Sequence, residues 1–460
     1  MSVRQPLADS RVYLAERSTP RERGEPGLPR LLSGIPASGA LPLGEHLALH
    51  GPLPASHGRG WTRARRGDGA LIEEVERAGL LGRGGGAFPT AAKLRAVAGA
   101  ARSTLGGRPI VVVNAAEGEP VSAKDRTLLR SLPHLPLDGA LLAARAVGAR
   151  EVLVGVCESR PEVREALASA LAERRAHGAD ALAGTIDVQL HPVPHRYVAG
   201  QESALVNHLS GGPALPTFTP PRPFERGVRG RPTLVCNVET LAHCALIARH
   251  GAEWFCELGT DEQPGSALVT LAGAVVHPGV YEIEHGSSLG ALLDAADGPT
   301  AEVRAVLLGG YSGAWVDGSW LPQLALSDRQ LQPYGASLGA GVVLVLSTRA
   351  CPVAELARLT RWLASQSARQ CGPCVFGLDA IATVFEQLVL PLALDRRGAE
   401  RRLRTLAATV DRRGACGHPD GVARLVASAV EVFADELAQH ARRGPCAACS
   451  RPSELPGLAR

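Results

Sequence analysis

The run RPIVVVN (108–114) restricts the possible folds more than any other stretch of this chain. An isoleucine and three valines in a row, without polar alternation, read as a strand buried on both faces. The run ends in the polar turn AAEGEP (115–120). A helix is expected over 137–147, a second apolar strand, EVLVGV, over 151–156, a helix over 161–176, and then the segment DVQLHPVP. Such strand–helix alternation predicts an α/β domain with a mainly parallel sheet. Ligands of these sheets bind beyond the carboxyl ends of the strands, and AAEGEP lies at such an end.

The chain is 460 residues long, too long for one ordinary core, so several domains are expected. Residues 1–30 are polar, Pro-containing and aperiodic, and are expected to be disordered. Residues 31–57 carry a mixed apolar pattern suited to lying against a later domain, and 58–69 reads as a linker. A helix is expected from residue 70, with Leu71, Val75 and Leu80 on one side. Composition shifts near 265, where SALVTLAGAVVHPGVYEIEH predicts a small β-rich module over about 266–330. From 353 the pattern is helical, with Leu356, Leu359 and Leu363, then Leu378, Ile381, Phe385 and Leu388, then Val422, Leu425, Val426, Val430 and Phe433. That predicts a C-terminal helical bundle.

No apolar run approaches the roughly 18 residues of a spanning helix. The N-terminus lacks the apolar core of a secretory signal, so a cytoplasmic location is expected, with peripheral docking at the inner face of a membrane permitted. A net charge of +4 with no basic face at helical spacing speaks against a nucleic-acid partner.

Of the 49 basic side chains only Lys93 and Lys124 are lysines, and the asparagines are Asn114, Asn207 and Asn237. A chain that has drifted so far towards arginine keeps lysine where a compact ammonium is needed. Lys93, Lys124, Asn114 and Asn237 all fall inside four polar motifs. The first, GRGGGAFPTAAK (82–93), joins consecutive glycines to a helix start, a combination that presents N–H groups to an anion, with Lys93 in reach of a phosphate. The second, NAAEGEPVSAKDR (114–126), places Asn114, Glu117 and Glu119 after a buried strand, where they can bond a heterocycle edge or sugar-type hydroxyls. The third and fourth, YVAGQESALVNHLSG (197–211) and RGRPTLVCNVETLAHC (229–244), open apolar helices with Gln201 and Glu202, and with Asn237, Glu239 and Thr240. Helix capping would account for one such cluster.

Ten cysteines in a reducing compartment read as thiols or metal ligands. Cys157, Cys236, Cys244 and Cys256 are scattered and are expected to be small buried residues. Cys371, Cys374, Cys416, Cys446 and Cys449 crowd the C-terminal part.

The order GRGGGAFPT, NAAEGEP, KDR, YVAGQESAL, PTLVCNVETLA resembles the family of the flavin-carrying 51-kDa, NADH-binding subunit of respiratory complex I, with its relatives in hydrogenases and formate dehydrogenases. The glycine-rich loop also resembles that of the related Rnf subunit. The stretches VTLAGAVVHPGVYEI and LLGGYSGAWV look like the family's β-grasp module, and CGPC with Cys416 looks like its iron–sulfur domain. The resemblance runs over roughly 70–445. It implies an N-terminal extension, partly disordered, over 1–69 and a Rossmann-like FMN-binding α/β domain over 70–262. A β-grasp, SLBB-like module over 263–335, a helical iron–sulfur domain over 336–445 and a flexible tail over 446–460 complete the expected layout.

By position, the implied FMN contacts are Gly82, Arg83, Gly84, Lys93, Asn114, Glu117, Tyr197, Gly200, Gln201, Glu202, Asn237 and Thr240, with NADH against Phe88 and Glu119. Hydride would pass from NADH to FMN, then electrons singly to an iron–sulfur cluster and a redox partner, either a ferredoxin-like protein or a membrane redox subunit, within a hetero-oligomer. The chain departs from the family at Ala116 and Gln201, where acidic residues are usual, and at Thr219 and Arg222, where a lysine and an aromatic are usual. The family's C-x-x-C-x-x-C begins here at Ala368, so Cys371, Cys374 and Cys416 supply three of four cluster ligands. The readings are a [4Fe–4S] cluster completed by His418, Cys351, Cys446 or Cys449, a three-iron cluster, a zinc site of Cys371, Cys374, Cys416 and His418, or no metal. Cys446 and Cys449 also read as a reduced pair on a flexible tail. Rival readings of the whole are a non-catalytic assembly subunit and an Rnf-like, membrane-docked subunit with another donor.

Overall fold

The computed structural model describes residues 12–14, 27–54, 69–103, 107–177, 185–392 and 395–458. The expected disorder of 1–30 and the linker at 58–69 therefore lie largely outside the described residues. Ahead of the valine run come β1 (Val12–Leu14), α1 (Leu43–His50), α2 (Ala70–Arg77) and α3 (Thr90–Ser103). The run itself is β2 (Ile110–Ala115), with Ile110, Val111, Val112 and Val113 buried. Then follow α4 (Lys124–Ser131), α5 (His134–Val147), β3 (Glu151–Cys157), α6 (Pro161–His177) and β4 (Asp187–Val193). The domain closes with α7 (Glu202–Leu209), α8 (Pro223–Arg226), β5 (Thr233–Asn237) and α9 (Val238–Cys256), which is broken at Gly251.

The sheet is parallel throughout, in the order β4-β3-β2-β5. The chain winds outwards from β2 through β3 to β4, then returns to place β5 on the other side of β2. The strand order thus reverses between β2 and β5, where a crevice opens at the carboxyl ends. Asn114 and Asn237, the last polar residues of these two strands, stand directly opposite each other in the register.

After a short hairpin, β6 (Gly259–Thr260) with β7 (Gln263–Pro264), come β8 (Ser266–Gly273), β9 (Gly279–Glu284), α10 (Leu289–Ala295), β10 (Val303–Leu308), β11 (Ala314–Asp317), α11 (Asp328–Leu331) and β12 (Val342–Ser347). They build a six-stranded sheet in the order β1-β9-β8-β12-β10-β11, parallel only between β8 and β12. Leu289 and Leu292 of α10 pack into the core formed by Val269, Val306 and Val343. This is the β-grasp arrangement, but it extends beyond the expected boundary at 335. The fully buried run VVLVLS (342–347) pairs in the middle of the sheet, so the helical domain begins at α12 (Pro352–Ser365).

α12 is followed by α13 (Leu378–Val389), α14 (Ala399–Val410), α15 (His418–Val432) and α16 (Ala434–Arg443). Leu356, Leu359, Leu363, Ile381, Phe385, Leu425 and Phe433 meet in one core, as their spacing predicts. The expected flexible tail over 446–460 is corrected: residues 446–458 pack against the bundle. Leu455 is buried, and Glu454 accepts from the Ser347 amide at 2.8 Å and its hydroxyl at 2.6 Å.

The segment before residue 55 is also tied down where it is described. Buried Glu282 accepts the backbone N–H groups of Arg30, Leu31 and Leu32 at 2.9, 3.0 and 3.1 Å. The Arg30 guanidinium lies 3.8 Å over the Trp254 ring. His46 of α1 meets buried Asp138 of α5 at 2.8 Å, and Asp138 also pairs with Arg174 and Arg249. Burial alone would raise the Asp138 carboxyl, but Arg174, His46 and Arg249 hold it well below the usual carboxylate range. Replacing Asp138 by Ala strands two buried guanidinium groups, and urea unfolding should show a loss of about 3–5 kcal/mol. Glu76→Ala, which removes a solvent-exposed pair with Arg95, should leave the midpoint nearly unchanged.

Candidate functional site

A cleft of about 440 Å³ opens at the crevice between β2 and β5, a size suited to an organic cofactor. Its floor is the pair Asn114 and Asn237, its roof the glycine-rich loop and the first turns of α3, and its far wall the turn leading into α7. Gly82, Gly84, Phe88, Lys93, Asn114, Gly200, Gln201, Glu202, Asn237 and Thr240, ten of the residues that the family resemblance implies, all line it. A Cβ on Gly84 would stand 3.3 Å from the Asn237 Cβ, so the loop lies close on the strand end because it lacks one.

Lys93 Nζ donates to the Val235 carbonyl at 2.8 Å and pairs with Glu202 at 2.6 Å, which holds the ammonium at the cleft edge. Thr90, the first residue of α3, lines the cleft with a buried hydroxyl that has no protein partner. A helix start, glycine-loop amides, this hydroxyl and Lys93 form a ready cradle for a phosphate. Phe88, Pro223 and Phe224 supply apolar walls. These residues fit a flavin mononucleotide: an anion seat at one end, carboxamides for a heterocycle edge, and aromatic faces for the ring.

Four expected contacts do not line the cleft. The Arg83 side chain is buried and turned towards the β-grasp module, donating to the Ser266 carbonyl at 3.0 Å. Its amide donates to Thr240 Oγ1 at 2.8 Å, fixing the loop to α9. Glu117 caps α4, accepting from the Asp125 and Arg126 amides at 2.9 and 3.2 Å and from the Ser122 hydroxyl at 2.8 Å. Tyr197 sits on the seam with the helical domain. Glu119, expected beside a nicotinamide, is buried on the same seam and accepts from the Tyr311 amide at 3.0 Å.

The motifs concealed a second layer. Lys124, fully buried, bonds Asp125 at 2.8 Å and Glu239 at 2.8 Å, and reaches Asn237 Oδ1 at 3.4 Å. Asp125 in turn accepts from Asn237 Nδ2 at 2.6 Å, so this cluster fixes the orientation of the asparagine in the cleft floor. Burial would lower the Lys124 ammonium, but Asp125 and Glu239 outweigh it and raise it. The scarcity of lysine was the signal that pointed here. Cys236, expected to be merely a small buried residue, lines the cleft, and burial pushes its thiol up to about 11. Cys256, also expected to be buried, is exposed because it ends α9.

One turn joins the cleft to the cysteine loop. Tyr197–Gly200 forms a 3-10 turn whose end, Gly200, accepts from Asn114 Nδ2 at 2.7 Å. At its start the Tyr197 amide donates to Gln366 Oε1 at 3.2 Å, Arg196 donates to the Ser367 carbonyl, and the Tyr197 hydroxyl meets Ser312 at 2.8 Å. The tyrosine ring stands edge-on to Trp362 and His418 at 5.4 Å. A Cβ on Gly118 would fall 2.6 Å from the Tyr197 carbonyl, so AAEGEP and this turn press together backbone to backbone.

Beyond Gln366 and Ser367 the chain enters the cysteine loop. Burial pushes the Cys374 thiol up to about 12, with Cys371 and Cys416 beside it adding to the rise. The three cysteines expected as ligands are therefore neighbours, two on the loop and one ahead of α15. Ala368 is buried and offers no donor. His418 Nε2 faces the Leu363 carbonyl at 2.9 Å, which leaves Nδ1 buried without a partner, and Ser367 Oγ is likewise unpartnered. Such a donor set fits an iron–sulfur cluster on three thiolates with one position open to another donor. Cys351, Cys446 and Cys449, weighed as replacements for the fourth thiolate, gather instead at a separate place with His440.

A switch-point cleft with an anion cradle, a β-grasp module and a cysteine-bearing bundle define a flavin-type redox protein. Residues 75–245 match the Nuo51 FMN-binding domain, and residues 354–440 match the NADH-ubiquinone oxidoreductase-F iron–sulfur binding region. Relatives include the NADH-quinone oxidoreductase F 2 subunit of Rhizobium meliloti (strain 1021), 31% identical over 82% of this chain and 90% of that protein. The corresponding F subunit of Mycobacterium bovis is 30% identical over 84% and 87%. Among solved structures, an NAD+-reducing [NiFe]-hydrogenase in the H2-reduced state is similar, with a TM-score of 0.73 and 31% identity. That match covers 81% of this chain and 63% of the hydrogenase chain. The chain belongs to the family of NADH-quinone oxidoreductase F subunits, and it carries that family's FMN-binding domain and iron–sulfur binding region.

Burial raises the Glu119 carboxyl to about 7, more than its bonds from Tyr311, Val121 and Tyr197 lower it. A carboxyl raised on folding binds more protons in the native state than in the unfolded one. Its presence therefore costs stability progressively as pH rises from about 4.5 to about 7, and fully above that. Glu119→Gln should remove this slope. Chemical unfolding at pH 4 should find the variant and parent alike, and at pH 8 the variant more stable, by up to about 3 kcal/mol.

Proposed function

We propose that this protein is the FMN-dependent flavoprotein subunit of an NADH-oxidising complex, taking a hydride from NADH and passing electrons singly through an iron–sulfur cluster to a partner protein. The observation that carries the reading is the turn Tyr197–Gly200. One end of it lines the cleft and the other docks on the segment entering the cysteine loop. A two-electron site and a one-electron site are thereby held by one short piece of rigid backbone.

Thr90, Lys93 and the loop amides would hold the FMN phosphate. Asn114, Gln201, Glu202 and Asn237 would hydrogen-bond the ring edge and the ribityl chain. Phe88, 53% exposed, would face the nicotinamide, and Phe224 would wall the same side. Bound FMN supplies the chemistry itself, accepting two electrons together and releasing them one at a time. No side-chain nucleophile or general base is needed. Glu119 acts from behind the cleft, as a positioning group between AAEGEP and Tyr311. Cys371, Cys374 and Cys416 would ligate the cluster, with the position left by Ala368 taken by a non-cysteine donor. The partner would be a ferredoxin-like or membrane redox subunit in a hetero-oligomer, docked from the cytoplasmic side. No helix among the described residues is long and apolar enough to cross a membrane.

Anaerobically purified protein should absorb near 450 nm, about the flavin maximum, and NADH should bleach that band. Lys93→Ala should weaken flavin retention by about ten- to a hundredfold, through loss of a charge-assisted bond. Cys371→Ser should abolish the iron-linked spectrum and leave bleaching by NADH intact. A colourless protein would sink the flavin assignment in favour of a non-catalytic assembly role. Flavin that NADH fails to bleach would point to another donor.

A further inference from the structure

Four ligand-type side chains outside the cleft and outside the Cys371 loop converge where the bundle meets the tail. Cys351 caps α12, His440 lies in the last turn of α16, Cys446 precedes a short 3-10 turn in the tail (Ala447–Ser450), and Cys449 lies within it. Cys351 Sγ lies 3.4 Å from His440 Nε2 and 3.5 Å from Cys449 Sγ, which lies 3.8 Å from Cys446 Sγ. All four ligand atoms lie within 4.8 Å of one another.

A tetrahedral ion with about 2.3 Å to sulfur and about 2.0 Å to nitrogen spaces its ligands about 3.8 Å apart between sulfurs and about 3.5 Å between sulfur and nitrogen. The separations of 3.4, 3.5 and 3.8 Å lie close to those edges, and the remaining ones stay within 4.8 Å. The surroundings also suit a metal. His440 Nδ1 faces the Leu388 carbonyl at 3.2 Å, which sets the tautomer with its N–H there and turns the Nε2 lone pair to the thiols. Cys351 Sγ accepts from the Ala354 amide at 3.4 Å at the start of α12, where the helix dipole favours a thiolate. A disulfide needs sulfurs at about 2.05 Å and uses two of them, leaving a third thiol and a ring nitrogen unexplained. A cubane cluster spreads its four ligands over four irons, whereas these four atoms surround a single point.

We propose that Cys351, His440, Cys446 and Cys449 form a closed Cys3His site for one Zn2+ ion. Three thiols release their protons to solvent on binding, and the imidazole binds neutral. Three sulfurs and one nitrogen without an open position are the ligand set of structural zinc. The ion ties the first helix of the bundle to the last and fastens the tail across both. Beyond the clasp, Ser453 bonds Glu355 at 2.5 Å, Leu455 is buried, and the Tyr311 hydroxyl donates to the Pro456 carbonyl. The Tyr311 amide is the one that holds Glu119, so the clasp secures a tail that ends against the seam beside the cleft. This proposal is independent of the flavin reading.

The test is zinc and iron analysis of the full-length protein with X-ray absorption at the zinc edge. The parent should carry about one zinc per chain, with three sulfur neighbours at about 2.3 Å and one nitrogen at about 2.0 Å. Cys371→Ser/Cys374→Ser should lose iron and keep zinc. Cys446→Ser/Cys449→Ser and His440→Ala should lose zinc and keep the 450 nm band, with faster cleavage of the tail by added protease. Parent protein without zinc overturns the proposal, as does zinc that survives removal of Cys446 and Cys449. A mass two hydrogens lighter, marking a disulfide between Cys446 and Cys449, also overturns it, and so does iron in place of zinc at these ligands. Should a variant fail to fold, the zinc content and edge spectrum of the parent still decide.

Discussion

Much of this structure depends on one buried carboxylate. Glu239, in the first turn of α9, bonds Lys124 at 2.8 Å, accepts from the Leu268 amide at 2.9 Å and lies 3.8 Å from Arg83. Those partners belong to α4, to β8 and to the glycine-rich loop. One side chain therefore holds the cofactor loop, the helix after AAEGEP and the β-grasp sheet in a single arrangement. A buried carboxylate of this kind persists only because every face of it has a partner. Lost alone, it would leave Arg83 buried without its nearest carboxylate and Lys124 with Asp125 as its one remaining anion, and the Leu268 amide would lose its acceptor.

A second carboxylate repeats the device one strand further along the same face of the β-grasp sheet. Glu282, on β9, accepts three successive amides from residues 30–32 and the Ser266 hydroxyl at 2.7 Å. Burial pushes its carboxyl up, against the lowering effect of those bonds. Ser266 links the two clusters, since its carbonyl accepts from Arg83. The β-grasp module is thus more than a spacer. It is the module to which the glycine loop, residues 30–32 and the tail segment beyond the bundle are all hydrogen-bonded, and a redox chain needs such connections to keep its centres in register.

The valine run, the alternation that follows it and the helical periodicity of the bundle were legible because each records burial with a fixed period. Most of the residues expected at the cleft line it for a related reason: glycine loops and strand-end carboxamides act locally, at positions marked by sequence. What the sequence leaves hidden has the opposite cause. Arg83, Glu117, Glu119 and Tyr197 sit in the right motifs, but their side chains turn to partners 5 to 192 residues away, such as Ser122 and Tyr311. β12 was assigned to the helical domain because a short apolar run carries no period of its own, and its place depends on β8 and β10. The tail looked flexible because its anchors, Glu454 and Leu455, are single residues without a pattern. The gathering of Cys351 with Cys446 and Cys449 spans 98 residues, and only the fold could reveal it.

The two lysines show what the skewed composition records. In a chain where arginine fills nearly every basic position, both remaining lysines belong to the cleft, one at its edge and one beneath its floor. Lys124 shows why. Its ammonium bonds Asp125, Glu239 and Asn237 from a single point, inside a space closed by the β-grasp loop at Gly341. A Cβ there would lie 3.0 Å from Lys124 Cδ. A planar guanidinium, broader and with its donors in a fixed fork, cannot serve three converging acceptors in that space. The drift towards arginine stopped where the geometry required a compact cation, and for that reason a rare residue type marks the site in the sequence itself.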